Sequence, residues 1–375
     1  MIIFNKKFLF ALISVVTLSF LLVACGGGDD ETDQSQGEDT SKESEGTEGS
    51  EGDANADIEE QTWRFITEET KGQVQYEYAA EFAKRISEKT DGKITVEPYE
   101  YGGLGSEVDQ VKSLQQGAVQ LAVMSPGFTG NMVKEGQLFA LHFLFPDSVE
   151  TTQEILNTSE ALNTDLRARY EEHQISPLAF WTEGAMQWTS NVGIDEPADF
   201  EGLKMRVQES PLMMESYKAY GASPQALSWS ELYTGLDRGT VEGQENPIFF
   251  IYDAAFHEVQ DTMTISNHNN YVAMTTVNTD WYNGLPENVK TIVDDTVEEM
   301  QAWVFEEQKT QNEKLLEEMK NDTEHPTEII ELTEEQRAAF REKAVPLQDY
   351  YIENVSEVDG EILNKLKEEI KAATE

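Results

Sequence analysis

Residues 63–124 read WRFITEETKGQVQYEYAAEFAKRISEKTDGKITVEPYEYGGLGSEVDQVKSLQQGAVQLAVM. The stretch opens on a short apolar strand, Trp63 to Ile66, followed by a polar turn. Tyr78, Phe82 and Ile86 then recur every fourth residue with Ala79 and Ala83 beside them, the spacing of one buried stripe on a helix. Asp91 and Gly92 supply its stop signal. Ile94 to Tyr99 reads as a second strand and Gly102 to Gly105 as a turn. Ser106 caps a helix that carries Val108, Val111 and Leu114 on one face and ends at Gly117. Val119 to Met124 is a third strand. A strand-helix-strand-helix-strand order of this kind predicts a parallel sheet covered by helices.

Further along, Leu203, Met205 and Val207 alternate with Lys204 and Arg206, a half-buried strand on which Arg206 faces away from the core, toward a cleft. From Pro286 the pattern turns helical through Val289, Ile292, Val293, Met300 and Val304. Thr333 and Gln336 form a capping box for another helix. Ile362, Leu363, Leu366 and Ile370 mark a last one. The body at 62–375 is larger than one core usually serves. Strands early and helices late predict a two-lobed α/β fold, with a ligand cleft between the lobes and long C-terminal helices around them.

The N-terminus carries a different message. Lys6 and Lys7 precede an apolar run broken only by Ser14, Thr17 and Ser19, the pattern of an export signal over residues 1–24. Leu22, Val23, Ala24 and Cys25 look like the lipobox of bacterial lipoproteins, in which Cys25 would be acylated and anchor the chain at the outer face of the cell membrane. Cys25 is the single cysteine, so no disulfide can form within the chain. Residues 25–61 are almost devoid of apolar side chains, the composition of a disordered acidic tether.

The chain carries a net charge of −45, of which the signal holds +2 and the tether −13, leaving −34 on the body. That charge excludes nucleic acid as a partner and reads as a solvated acidic surface suited to a salty medium. The turn at Gly102, Gly103 and Gly105 lacks both the third glycine and the lysine of nucleotide-binding loops. The five histidines show no metal-ligand spacing. No serine sits in a nucleophile elbow. Neither a catalytic constellation, a cofactor nor a metal is therefore expected. Three places gather polar and aromatic groups instead. Arg206 can grip a carboxylate through two parallel hydrogen bonds, Pro247 holds Asn246 extended for contact, and Trp229 can form a wall.

Taken together, Leu203-Lys204-Met205-Arg206-Val207, Tyr220-Gly221-Ala222-Ser223-Pro224, Trp229-Ser230-Glu231-Leu232-Tyr233 and Gly243-Gln244-Glu245-Asn246-Pro247 resemble the substrate-binding subunits of tripartite ATP-independent periplasmic (TRAP) transporters. Gly103-Leu104-Gly105 and Ser266-Asn267-His268 extend the likeness. The resemblance implies a periplasmic-binding-protein-like receptor, not an enzyme, that hands its solute to a small and a large integral membrane subunit. It implies that Arg206 holds a carboxylate, that Asn246 touches the ligand, and that His268 belongs to the binding segment.

Within the family the chain is most similar to receptors for ectoine and hydroxyectoine. The matching runs are Trp63-Arg64-Phe65 with Glu68-Glu69, Ser125-Pro126-Gly127-Phe128-Thr129-Gly130, and Asn246-Pro247-Ile248-Phe249-Phe250. By position, Glu69 would then pair with the ligand's cationic amidine, and Phe128 and Phe250 would line its ring. Many relatives carry an arginine where this chain has Met186, which speaks against a dianionic ligand. A C4-dicarboxylate or other organic acid is the alternative solute, and an ATP-driven importer or a sensor the alternative partner.

Overall fold

The computed structural model describes residues 57–358 and 360–375, all within the compact unit Gly52–Glu375. The expected signal, Cys25 and most of the tether lie outside the described residues. Ile58 is buried in the core and the first strand starts at Gln61, so the folded body begins a few residues before the boundary expected at 62.

Among the described residues eleven strands run in chain order. They are β1 (Gln61–Ile66), β2 (Ile94–Tyr99), β3 (Leu121–Met124), β4 (Ile175–Ala185), β5 (Gln187–Ser190), β6 (Arg206–Val207), β7 (Gln225–Ala226), β8 (Gly243–Asn246), β9 (Thr262–Ile265), β10 (Asn270–Asn278) and β11 (Glu328–Glu331). The first lobe holds a five-stranded sheet in the order β2-β1-β3-β10-β4. The pairs β1–β2 and β1–β3 are parallel, as the opening alternation predicts, and β10 lies antiparallel to β3 and β4. The second lobe holds β11-β9-β5-β8, with β6-β7 as a separate pair. The chain passes between lobes at Met186, where β4 gives way to β5, and again between β9 and β10. At the first crossing Gly184 has φ +112°, a conformation that glycine adopts without strain.

Each element follows from its local chemistry. The helix Val74–Lys89 buries Tyr78, Phe82 and Ile86 completely. Phe65 meets Phe82 edge-on at 5.4 Å, and Tyr78 stacks on Trp181 at 5.1 Å. Burying a ring of this size stabilises the lobe by roughly 1.5–3 kcal/mol. Ser106 and Asp109 form a reciprocal capping box at the helix Glu107–Gln115, and Thr333 with Gln336 does the same at Glu334–Ala344. The pattern after Pro286 becomes one helix of 35 residues, Glu287–Asn321, about 52 Å long at 1.5 Å per residue. Val289, Val293, Met300 and Val304 bury against the first lobe, whereas Met319 joins a second-lobe cluster with Leu232, Ile251 and Met263.

One strand differs from expectation. Met205 and Val207 are fully buried, but Arg206 between them is buried as well. Its outward face is roofed by residues of other segments.

Candidate functional site

Those roofing residues define a narrow pocket lined by Glu68, Glu107, Phe128, Arg206, Gln208, Trp229, Asn246, Phe250 and Tyr271. A second narrow pocket shares Arg206, Gln208, Asn246 and Tyr271, and adds Met186, Val207, Met213 and Glu245. The structure thus brings together Arg206, Asn246, Phe128, Trp229 and Phe250 from the sequence reading.

Arg206 is set by the short parallel pair β6–β7. The backbone continues past Ala226 so that Leu227 N–H donates to the Val207 carbonyl at 3.2 Å, and the Leu227 carbonyl in turn accepts from Arg206 Nε at 2.9 Å. Arg206 Nη2 has no hydrogen-bond partner although it is buried. Burial lowers the guanidinium's pKa, while Tyr271, Glu107 and Glu245 nearby act in the opposite sense. Asn246 ends β8, with its amide donating to Gln244 Oε1. Pro247 then starts the helix Ile248–Asp253, which delivers Phe250. Phe250 stacks on Phe249 at 4.3 Å and meets Trp229 and Tyr271 at 5.0 and 5.7 Å, so three rings form one wall.

The opposite wall is acidic. Glu68 Oε2 accepts the Ser125 N–H at 2.9 Å, whereas Glu68 Oε1 is buried without a partner. Burial, followed by the Glu107 charge, pushes Glu68 well above the usual carboxylate range. Glu107 Oε1 accepts the Trp229 backbone N–H at 3.3 Å and ties the start of the helix Trp229–Asp237 to the first lobe. Gln208 donates to Tyr271 Oη at 3.4 Å. A side chain at Gly127 would come within 1.8 Å of Gln208 Oε1, so only glycine lets that amide reach the cavity past the turn at Ser125.

Two expected residues lie elsewhere. Glu69 is not on the wall; Glu68 takes that place because the chain turns at Thr67, where the strand alternation ends. Glu69 Oε2 accepts the Gln75 N–H at 2.6 Å, and the neighbouring Glu183 accepts from the Gln75 amide through Oε1 at 2.8 Å, so one glutamine bridges the two carboxyls. Burial raises both, Glu183 to about 7. A carboxyl raised on folding contributes stability that is complete below its unfolded pKa and is lost as pH rises through the folded one. Between pH ~4.5 and about 7 the chain should therefore lose on the order of 1–3 kcal/mol at this pair. Thermal melts of Glu183→Gln should show a correspondingly shallower decline over that range.

His268 also lies behind the cavity, stacked on Trp188 at 4.4 Å, with its ring nitrogens on Ser266 and Glu245. Sequence reasoning missed Glu68, Glu107, Gln208 and Tyr271. Gln208 was within reach, since it continues the alternation of Arg206 by one period. Glu107 sits in the first turn of a helix and Tyr271 in a strand buried throughout, places where an acid and a ring are ordinary.

Residues 65–354 match the family described as bacterial extracellular solute-binding protein, family 7 (DctP). The ectoine-binding periplasmic protein TeaA of Halomonas elongata is 34% identical over 310 residues, which cover 83% of this chain and 90% of TeaA. Its high-resolution structure, from the TeaABC TRAP transporter, superposes with a TM-score of 0.80 over 83% of this chain and 100% of that one. The ectoine/5-hydroxyectoine-binding protein UehA of Ruegeria pomeroyi is 32% identical, covering 83% and 91% of the two chains. The C4-dicarboxylate-binding protein DctP of Rhodobacter capsulatus is 34% identical, covering 74% and 82%. With its two α/β lobes and the cavity built where they meet, this chain belongs to the DctP family of extracytoplasmic solute-binding proteins, the receptors of TRAP transporters.

Proposed function

We propose that the chain captures a compact zwitterion of the ectoine type, with the carboxylate on Arg206 and Asn246 and an N–H-bearing cation on Glu68 between Phe128, Trp229 and Phe250, and that it releases the solute unchanged to the membrane subunits. One observation carries this reading: two buried, unpartnered atoms of opposite charge type, Arg206 Nη2 and Glu68 Oε1, belong to one aromatic-lined cavity. A buried charged atom left without a partner costs more than about 1–3 kcal/mol, and a zwitterion would satisfy both at once. A dianion would set its second charge near Glu68 and Glu107. An ionised carboxylate there opposes that by about 4 kcal/mol at ~4 Å in an intermediate dielectric, so a dianion would need Glu68 to stay protonated.

Titration calorimetry should show tight binding of ectoine and much weaker binding of succinate and pyruvate. Proline betaine should also bind weakly, because its quaternary ammonium has no N–H to give Glu68. Tight succinate binding without ectoine binding would make this an organic-acid receptor. Cys25 is proposed to carry the lipid anchor. Cys25→Ala should release the chain from the membrane fraction, and retention there would refute the anchor.

A further inference from the structure

Behind the solute cavity, three buried side chains from separate segments converge: His142 after the 3-10 helix Lys134–Ala140, Glu245 on β8, and His268 between β9 and β10. One ligating atom from each lies within 4.8 Å of the others. Both imidazoles present Nε2 inward, because hydroxyls hold their other nitrogens. His142 Nδ1 lies 3.0 Å from Tyr220 Oη, and His268 Nδ1 lies 2.7 Å from Ser266 Oγ. A ring nitrogen fixed in this way selects the tautomer and orientation of a ligating histidine. His142 Nε2 and Glu245 Oε1 are buried without a hydrogen-bond partner. Glu245 Oε2 lies 2.6 Å from His268 Nε2 and 4.0 Å from His142 Nε2, and Tyr217 Oη donates to it at 2.6 Å.

We propose that His142, Glu245 and His268 form a site for one divalent transition-metal ion of the zinc class, with Tyr217 at the fourth corner. Zinc bonds of about 2.0–2.2 Å in a tetrahedron set ligand atoms about 3.3 Å apart. The observed separations bracket that value, so shifts below about 1 Å complete the site. Two imidazoles and one carboxylate suit zinc, cobalt or nickel and not calcium or magnesium, which demand six or more oxygens. Glu245 also lines the second pocket beside Arg206 and Asn246, so an opened cleft gives the ion its way in. Once bound, the ion would tie three segments together directly beneath Asn246.

The test is cobalt(II) absorption on the full chain, stripped with a chelator and kept in excess magnesium to occupy the acidic surface. The expected result is the intense visible spectrum of tetrahedral cobalt, saturating at one ion per chain and abolished by one equivalent of zinc. His142→Ala, checked for folding by circular dichroism, should lose the spectrum. A weak octahedral spectrum alone, or an intense one retained in a folded His142→Ala chain, overturns the proposal. Should that variant fail to fold, the spectrum of the unaltered chain decides by itself.

Discussion

Arg206→Ala should reduce solute affinity by at least about 100-fold, because truncating one partner of a buried charge pair costs about 2–5 kcal/mol. The melting temperature of the solute-free chain should stay within a few degrees of the parent. The guanidinium's Nε bonds one carbonyl, its Nη2 bonds nothing, and burying it already carries a desolvation penalty that the substitution removes. Calorimetry and thermal melts on the same samples read both quantities. A large fall in melting temperature would instead make Arg206 a structural cation for Glu107 or Glu245. Arg206→Lys should not restore binding. A lysine is a point charge and cannot keep the Leu227 carbonyl and a carboxylate in one planar fork.

Glu68→Gln should weaken ectoine about 10- to 100-fold and narrow its margin over succinate, while Glu69→Gln should change binding much less. The contrast follows from position: Glu68 lines the cavity, and Glu69 lies outside it with one oxygen on the Gln75 N–H. The sign of the pH dependence follows too. Glu68 is raised by burial and by Glu107, whereas a cationic group favours its ionised form. Affinity should therefore fall as pH is lowered through the raised value, with up to one proton released per solute bound between the usual carboxylate range and that value. Glu68→Gln should abolish that slope. An unchanged slope would assign the proton to another group.

The sequence made legible whatever is encoded locally. The Tyr78, Phe82 and Ile86 stripe, the caps at Ser106 and Thr333, and the apolar spacing after Pro286 each name an element, and each is present. Alternation around Arg206 also gave the direction in which its side chain points. It could not give the cover on that side, because Glu68, Phe128 and Tyr271 arrive from distant segments. Glu68 and Glu69 illustrate a finer limit. Period-two reasoning stops where a strand ends in a turn, and the choice between adjacent carboxylates then depends on backbone direction. Tyr271 was hidden by lying in a strand that is buried throughout. His142 and His268 showed no ligand spacing because three segments of the fold, and no local repeat, bring them to Glu245.

The central claim is the pairing of two orphaned atoms across one cavity. A crystal structure of the chain grown with ectoine tests it most directly. The expected result places the carboxylate within hydrogen-bond distance of Arg206 Nη2 and the amidine N–H on Glu68 Oε1, between the rings of Phe128 and Phe250. A complex in which Arg206 turns onto a protein carboxylate, or in which the solute leaves Glu68 Oε1 without a partner, would contradict it.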